Sequence, residues 1–203
     1  MRYFLFTIYS SLRYAYHKIF APFFKIGRGV MFSRGARIVH PRYIQIGNKV
    51  LLDSQCLLQV NLYGRQNNPR ELRLKIGDNV TVGKGCVINA VNDIEIEDSV
   101  GIAPYCYIAD NSHCFDRVDM PIKKQGLDKI NPVKIKSGAW LGWNVVVLPG
   151  VTIGKNSVIG AHSVVNKDIP DYCVAVGTPA KIVKKFDHAS GEWVSVKNTF
   201  HEK

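Results

Sequence analysis

From Ile135 to Val165 an aliphatic residue recurs at every sixth position: Ile135, Leu141, Val147, Ile153, Ile159 and Val165. Six fits neither the 3.6-residue period of a helix nor the simple alternation of a strand. It suits a chain that turns a corner every six residues and sends one anchor inward from each face. The same spacing orders the chain upstream as Ile26, Phe32, Ile38; Ile46, Leu52, Leu58; Ile76, Val82, Ile88; and Ile96, Ile102, Ile108. Each triplet reads as one coil of three short strands. Since no coil can bury its own apolar edge, the coils must stack.

Four residues after the anchors stand small or β-branched side chains, among them Val50, Cys56, Val80, Cys86, Val100 and Cys106, sized for the inside of a narrow prism. Glycine often follows the anchor (Gly27, Gly47, Gly77, Gly83, Gly142, Gly154, Gly160), which we read as corners that need permissive backbone dihedrals. The reading is one β-solenoid over residues 26–186, interrupted by loops 59–75 and 109–134. It is flanked by an N-terminal segment 1–25 and a polar tail 187–203.

Cys56, Cys86 and Cys106 occupy the small-residue slot and read as reduced packing groups; no C-x-x-C pair suggests a metal. The N-terminal run is interrupted by Arg13, His17 and Lys18, too soon to span a bilayer, and it ends in no small-residue cleavage site. A cytoplasmic protein is the resulting expectation. The net charge of +11 is concentrated at one end: residues 1–52 hold nine Lys or Arg and no Asp or Glu, against 18 basic and 16 acidic residues in the remainder. Leu5, Ile8, Leu12, Ala15, Ile19 and Phe23 fall at helical spacing in that basic, aromatic segment. Two roles fit: a helix capping the first coil, or one lying peripherally on the anionic inner face of the cell membrane. No nucleic-acid motif accompanies the charge, so nucleic acid is not expected as a partner.

The interruptions matter most for function, because loops on a rigid scaffold carry chemistry. Loop 109–134 contains Asp110-Asn111-Ser112-His113, and phase is lost after Val165 before Val174-Ala175-Val176-Gly177-Thr178-Pro179-Ala180-Lys181. With the run from Trp140 to Gly154, these segments resemble the hexapeptide-repeat acyltransferases, nearest to sugar O-acetyltransferases of the galactoside and maltose type and those acting on surface polysaccharides. The resemblance implies an all-β fold, a left-handed parallel β-helix with a short N-terminal helical segment and a protruding loop. It also implies a homotrimer with active sites between subunits, and acetyl-CoA as acyl donor without a metal.

In the resembled family the histidine at the position of His113 is the catalytic base. Neutral imidazole, of ordinary pKa about 6.5, can take the proton of an attacking sugar hydroxyl. The backbone N–H at the position of Trp143 is the family's oxyanion donor, a role that suits a stiff backbone. Asn89 resembles the residue that orients the acceptor hydroxyl, and Glu95 or Glu97 could orient the imidazole. For the donor, the resemblance implies a pantetheine groove along Gly142, Trp143, Gly160 and Ala161. The adenine turn falls at Thr178, Pro179 and Ala180, and phosphate contacts at Lys167, Lys181 and Lys184, where lysine serves as a point charge. An acyl-cysteine at Cys114 is disfavoured, since adjacent side chains of an extended segment point apart.

The expected function is transfer of acetyl from acetyl-CoA to a sugar hydroxyl, in surface polysaccharide or lipopolysaccharide synthesis, on a free or lipid-linked saccharide. The alternatives are N-acetylation of an amino sugar or an antibiotic, a γ-type carbonic anhydrase, and a non-enzymatic scaffold. The anhydrase needs three histidines on zinc. Of the six here (His17, His40, His113, His162, His188, His201), only His113 and His162 lie well inside the repeat, with no ligand spacing.

Overall fold

The anchors of successive coils stack in register. Along the first face Ile26 pairs with Ile46, Ile46 with Ile76, Ile76 with Ile96, Ile96 with Ile135 and Ile135 with Ile153. Along the second run Phe32, Leu52, Val82, Ile102, Leu141 and Ile159. Along the third run Ile38, Leu58, Ile88, Ile108, Val147 and Val165. The computed structural model describes residues 2–19, 23–62 and 71–196. The centre of loop 59–75, with Gly64, Asn67, Asn68 and Pro69, and the last seven residues of the tail lie outside them. Among the described residues the architecture is a triangular column of parallel strands, and the anchors fill one continuous core with the small residues of the second slot.

Cys56, Cys86, Cys106 and Cys173 are all buried and reduced. Burial, with Asp53 beside it, pushes the Cys56 thiol up to about 12, so it acts as a packing group and not as a nucleophile.

The glycines after the anchors serve a different purpose from the one expected. Left-handed backbone occurs three residues after the anchor, at Lys49, Gln55, Asn79, Ser99, Tyr105, Asn144, Asn156 and His162, and at glycines such as Gly85. Gly47 is instead required by the closeness of the coils: a Cβ there would stand 2.5 Å from the carbonyl carbon of Gly77 in the next coil.

The loss of phase after Val165 is also shorter than expected. Ile169 bridges to Ile153 and Ala175 pairs with Ile159, so a further part-coil forms six residues apart once a four-residue step is taken. The chain then reverses. Strand Lys181–Asp187 runs antiparallel to Cys173–Val176, and Glu192–Ser195, within the stretch read as tail, pairs antiparallel with Lys181–Asp187.

At the opposite end helix α1 (Arg2–Ile19) lies against strand Met31–Phe32 of the first coil. No helix among the described residues is long and apolar enough to cross a membrane.

Outside the core, the first face carries a charge ladder. Glu95 is bonded by Lys75 at 2.6 Å and Lys134 at 2.9 Å, and Lys134 also reaches Glu97 at 3.0 Å. The hydrogen bond from Lys75, then that from Lys134, holds the Glu95 carboxyl below its ordinary range. A depressed folded-state value stabilises above the unfolded pKa and loses that contribution as pH falls through the folded value. The stability difference between wild type and Glu95→Gln, read from denaturant midpoints, should therefore be constant from neutral pH down to the ordinary carboxylate range and shrink below it. A difference that grows on acidification would contradict the ladder.

Candidate active site

Loop 109–134 leaves the third face after strand Tyr107–Ala109 and returns to the first face at Val133–Ile135. It is built as a hairpin: strand Ser112–His113 pairs antiparallel with Leu127–Asp128, and the short helix α2 (Ile122–Gln125) lies between them. His113 stands on this hairpin, exposed, and its Nδ1–H donates to the Gly126 carbonyl at 3.3 Å. With Nδ1 carrying the proton, Nε2 is the basic nitrogen. Gly126 has φ of 88°, a left-handed value that a side chain would oppose, so glycine sets the direction of that carbonyl.

The imidazole is therefore oriented by a backbone carbonyl and by neither glutamate proposed for it. Glu95 is engaged with Lys75 and Lys134. Glu97 accepts from Ser137 and pairs with Lys134. Both sit on the first face.

Beneath the hairpin lies a group that sequence reasoning missed. Asp110 is fully buried, and its carboxylate accepts from the amides of Val91 at 2.8 Å, Asn92 at 2.6 Å and Asp93 at 2.8 Å, and from Asn111 Nδ2 at 2.9 Å. Its carbonyl accepts the Asn131 amide at 2.9 Å, where the loop returns. The side chain thus ties the corner of the preceding coil to the outgoing end of the excursion, and the main-chain carbonyl of the same residue holds the returning end.

His113 and Asn89 are brought together. Both line a cleft of about 210 Å³ with Asn61, Tyr107, Lys123 and Leu127. Asn89 follows the buried anchor Ile88, and its carbonyl accepts from Asn111 Nδ2 at 3.2 Å. Its side-chain Oδ1 is buried and, among the described residues, has no hydrogen-bond partner. An orphaned acceptor costs about 1–3 kcal/mol unless something supplies a donor. Placed beside a histidine in a cleft, it marks where an O–H or N–H of a ligand belongs.

The expected donor groove lies elsewhere on the same chain. Gly142 and Trp143 form the corner between the second and third faces, with Gly160 and Ala161 at the same corner one coil on. His162 donates its amide to the Trp143 carbonyl at 2.8 Å, and Thr178 Oγ1 donates to the His162 carbonyl at 3.2 Å. The corner is thus a continuous edge from Trp143 to Thr178, Pro179 and Ala180. Among the described residues the Trp143 amide finds no acceptor, which leaves it available to a ligand.

Trp143 is half exposed and held by two rings, Tyr105 at 5.6 Å and His162 at 4.9 Å; Asn144 Nδ2 donates to His162 Nδ1 at 3.2 Å. Lys181 and Lys184 are exposed on strand Lys181–Asp187; Lys167, also exposed, follows Val165 at the third-to-first corner, and Ala180 of the adenine turn donates its amide to the Val164 carbonyl at 2.8 Å. Within one chain, the corner bearing His113 and that bearing Trp143 flank the third face and do not meet.

Cys114, beside the base, lies with Asp116 and Asp128 in the group of potential metal-ligand side chains found among the described residues. His113 and His162 stand on different corners, and His40 donates Nδ1–H to the Val60 carbonyl at 2.7 Å. His201 and the side chain of His17 lie outside the described residues.

Residues 132–167 match the family model described as bacterial transferase hexapeptide (six repeats). A Mycobacterium tuberculosis protein named a probable acetyltransferase is 51% identical over 111 residues, which is 55% of this chain and 37% of that protein. The chain thus spans little more than a third of that curated relative. A maltose O-acetyltransferase from Clostridium difficile 630 is 30% identical, with a TM-score of 0.52, over 81% of this chain and 68% of that one. A variant of AntD, an N-acyltransferase from Bacillus cereus, in complex with dTDP and coenzyme A, is 22% identical with a TM-score of 0.71. That likeness covers 88% of this chain and 90% of that one, and it speaks to the fold alone.

Proposed function

The chain belongs to the hexapeptide-repeat acyltransferases, folded as left-handed parallel β-helices, and from that premise we propose that it transfers acetyl from acetyl-CoA to a sugar hydroxyl. The observation that carries this reading is the juxtaposition of an imidazole pinned through Nδ1 with the orphaned Oδ1 of Asn89 in one cleft. Such a pair needs a ligand with a donating group that can also lose a proton. A sugar hydroxyl supplies both functions. The maltose O-acetyltransferase likeness supports oxygen as the acceptor atom.

In this reading Asn89 accepts the hydrogen bond of a hydroxyl and holds its oxygen near His113. His113 Nε2 removes the hydroxyl proton as the oxygen attacks the thioester carbonyl. The Trp143 amide donates to the carbonyl oxygen as it gains charge, and being fixed in a corner it needs no reorganisation. When the C–S bond breaks, His113 returns its proton to the departing thiolate, so the imidazole ends neutral. Because the His113 and Trp143 corners are separate within one chain, the amide comes from a neighbouring copy, as a homotrimer would provide. Gly142 and Gly160 let the coils of the donor edge approach closely, since a Cβ would stand 2.7 Å from the Ala161 amide nitrogen at the first and 2.7 Å from the Val176 side chain at the second, and the exposed Lys181 and Lys184 offer charge to phosphates at its far end. Synthesis of a surface polysaccharide is the setting that fits a sugar acceptor.

A thiol-release assay with acetyl-CoA across plain sugars, amino sugars and lipid-linked saccharides tests the proposal. Turnover on hydroxyl acceptors is expected; turnover confined to amino sugars would replace O-transfer by N-transfer, and no turnover would defeat it. In the same assay Asn89→Ala should lower kcat/KM for the acceptor by about 10- to 100-fold, the loss of one buried hydrogen bond. Its thermal midpoint should not fall, because an orphaned acceptor is removed and the Asn89 carbonyl remains for Asn111. A midpoint that drops with activity intact would make Asn89 structural.

A further inference from the structure

Helix α1 is oriented with its polar face inward. The first coil has no coil before it, so its outer N–H and C=O groups need partners. The helix supplies them with side chains: Ser10 Oγ accepts the Phe32 amide at 2.9 Å, Tyr14 donates to the Gly27 carbonyl at 3.0 Å, and Arg13 donates to the Ala36 carbonyl at 2.8 Å. This capping explains the inner face and consigns the apolar residues to the outer one. Ile8, Leu12, Ala15 and Ile19 follow one another at steps of four, three and four, a single stripe opposite Ser10 and Arg13. Leu12 is 66% and Ile19 67% exposed. A cap alone has no use for such a stripe.

The surroundings of the stripe indicate what covers it. The first 52 residues contain nine cations and no carboxylate. Among the described ones, Lys25, Arg28, Arg34, Arg37, Arg42 and Lys49 are all exposed on the first two coils, beside a half-exposed Phe24 and Met31. A second copy docking stripe to stripe would bring two uniformly positive ends together. Nucleic acid would leave the apolar stripe unused.

We propose that this end of the protein docks on an anionic lipid bilayer surface, with α1 lying flat at the acyl boundary and the first-coil cations over the headgroups. Apolar area and cations then act together, as peripheral binding without a covalent lipid requires. The column stands with its N-terminal end toward the membrane, and the His113 cleft faces sideways within reach of a saccharide carried on lipid.

The test is co-sedimentation of the full chain with phosphatidylcholine vesicles, with and without phosphatidylglycerol. Binding should be at least about tenfold stronger to the anionic vesicles and weaken with salt. Leu12→Glu/Ile19→Glu, both on the exposed stripe, should lose at least about tenfold of that binding with an unchanged melting curve and unchanged acetyl transfer to a soluble sugar. Should that variant misfold, Arg34→Glu/Arg37→Glu, which leaves α1 untouched, should weaken binding to the anionic vesicles alone. Equal binding to both vesicle types, or full binding by these variants, overturns the proposal. So does a smaller oligomer for Leu12→Glu/Ile19→Glu on gel filtration, which would mean that a second copy covers the stripe.

Discussion

His113→Ala should reduce acetyl transfer by about 10²- to 10⁴-fold, the range that a positioned general base contributes. The loss should fall on kcat. The proton acceptor is removed, while the Asn89 side chain and the donor edge between the second and third faces stay in place. The fold should not notice, because the His113 side chain is exposed and its one hydrogen bond among the described residues is the 3.3 Å bond to the Gly126 carbonyl. Retention of wild-type turnover by His113→Ala would remove the chemistry from this cleft altogether. A fall in turnover matched by a fall in melting temperature would make the histidine a structural member of the hairpin. His113→Gln separates geometry from basicity: its amide can still donate to Gly126 yet cannot hold a proton, so it should be as inactive as alanine.

What could be read from the chain beforehand was whatever repeats. Eighteen anchors at six-residue steps occupy their expected slots because each must be inward for the column to close, and a single slip would turn a face inside out. Non-local features were hidden. The glycine after the anchor looked like a turn residue, whereas Gly47 is set by the next coil's backbone, a contact 30 residues away in sequence. Ile169 and Ala175 continue the column after a four-residue step that strict counting rejects. The histidine stood out because it interrupts a pattern. Its partner did not, since a carbonyl directed by Gly126 has no side-chain signature. The Tyr105, Trp143 and His162 cluster was equally concealed, because it forms only when three successive coils align one corner.

Asp110→Ala should be the most destabilising single change in the excursion, by about 3–5 kcal/mol. The buried Val91 amide, the part-buried Asn92 and Asp93 amides and the Asn111 side chain lose a charged acceptor together, at about 1–3 kcal/mol for a buried donor left unsatisfied and less where water can reach the donor. For a chain of this size, each kcal/mol lowers the thermal midpoint by about 2–4 °C, so a drop of about 6–20 °C is expected. Asp110→Asn should lie between, since the amide keeps one acceptor oxygen but turns a donor toward amides that are donors themselves. The functional consequence follows from what Asp110 ties together. Its carboxylate holds the corner at residues 91–93 and the Asn111 side chain, so the outgoing end of the His113 hairpin loosens, while the main-chain carbonyl that accepts the Asn131 amide stays in place. At a temperature where Asp110→Asn is still folded, kcat should fall while KM for acetyl-CoA stays near the wild-type value, because the donor edge from Trp143 to Thr178 lies on another corner. A normal kcat in a destabilised Asp110→Asn would show that the hairpin keeps its shape without the buried carboxylate. An Asp110→Ala variant that melts with the wild type would show that water takes over the three amides at no cost. A selective loss of kcat is the result that requires Asp110 to act as the positioning residue for the base.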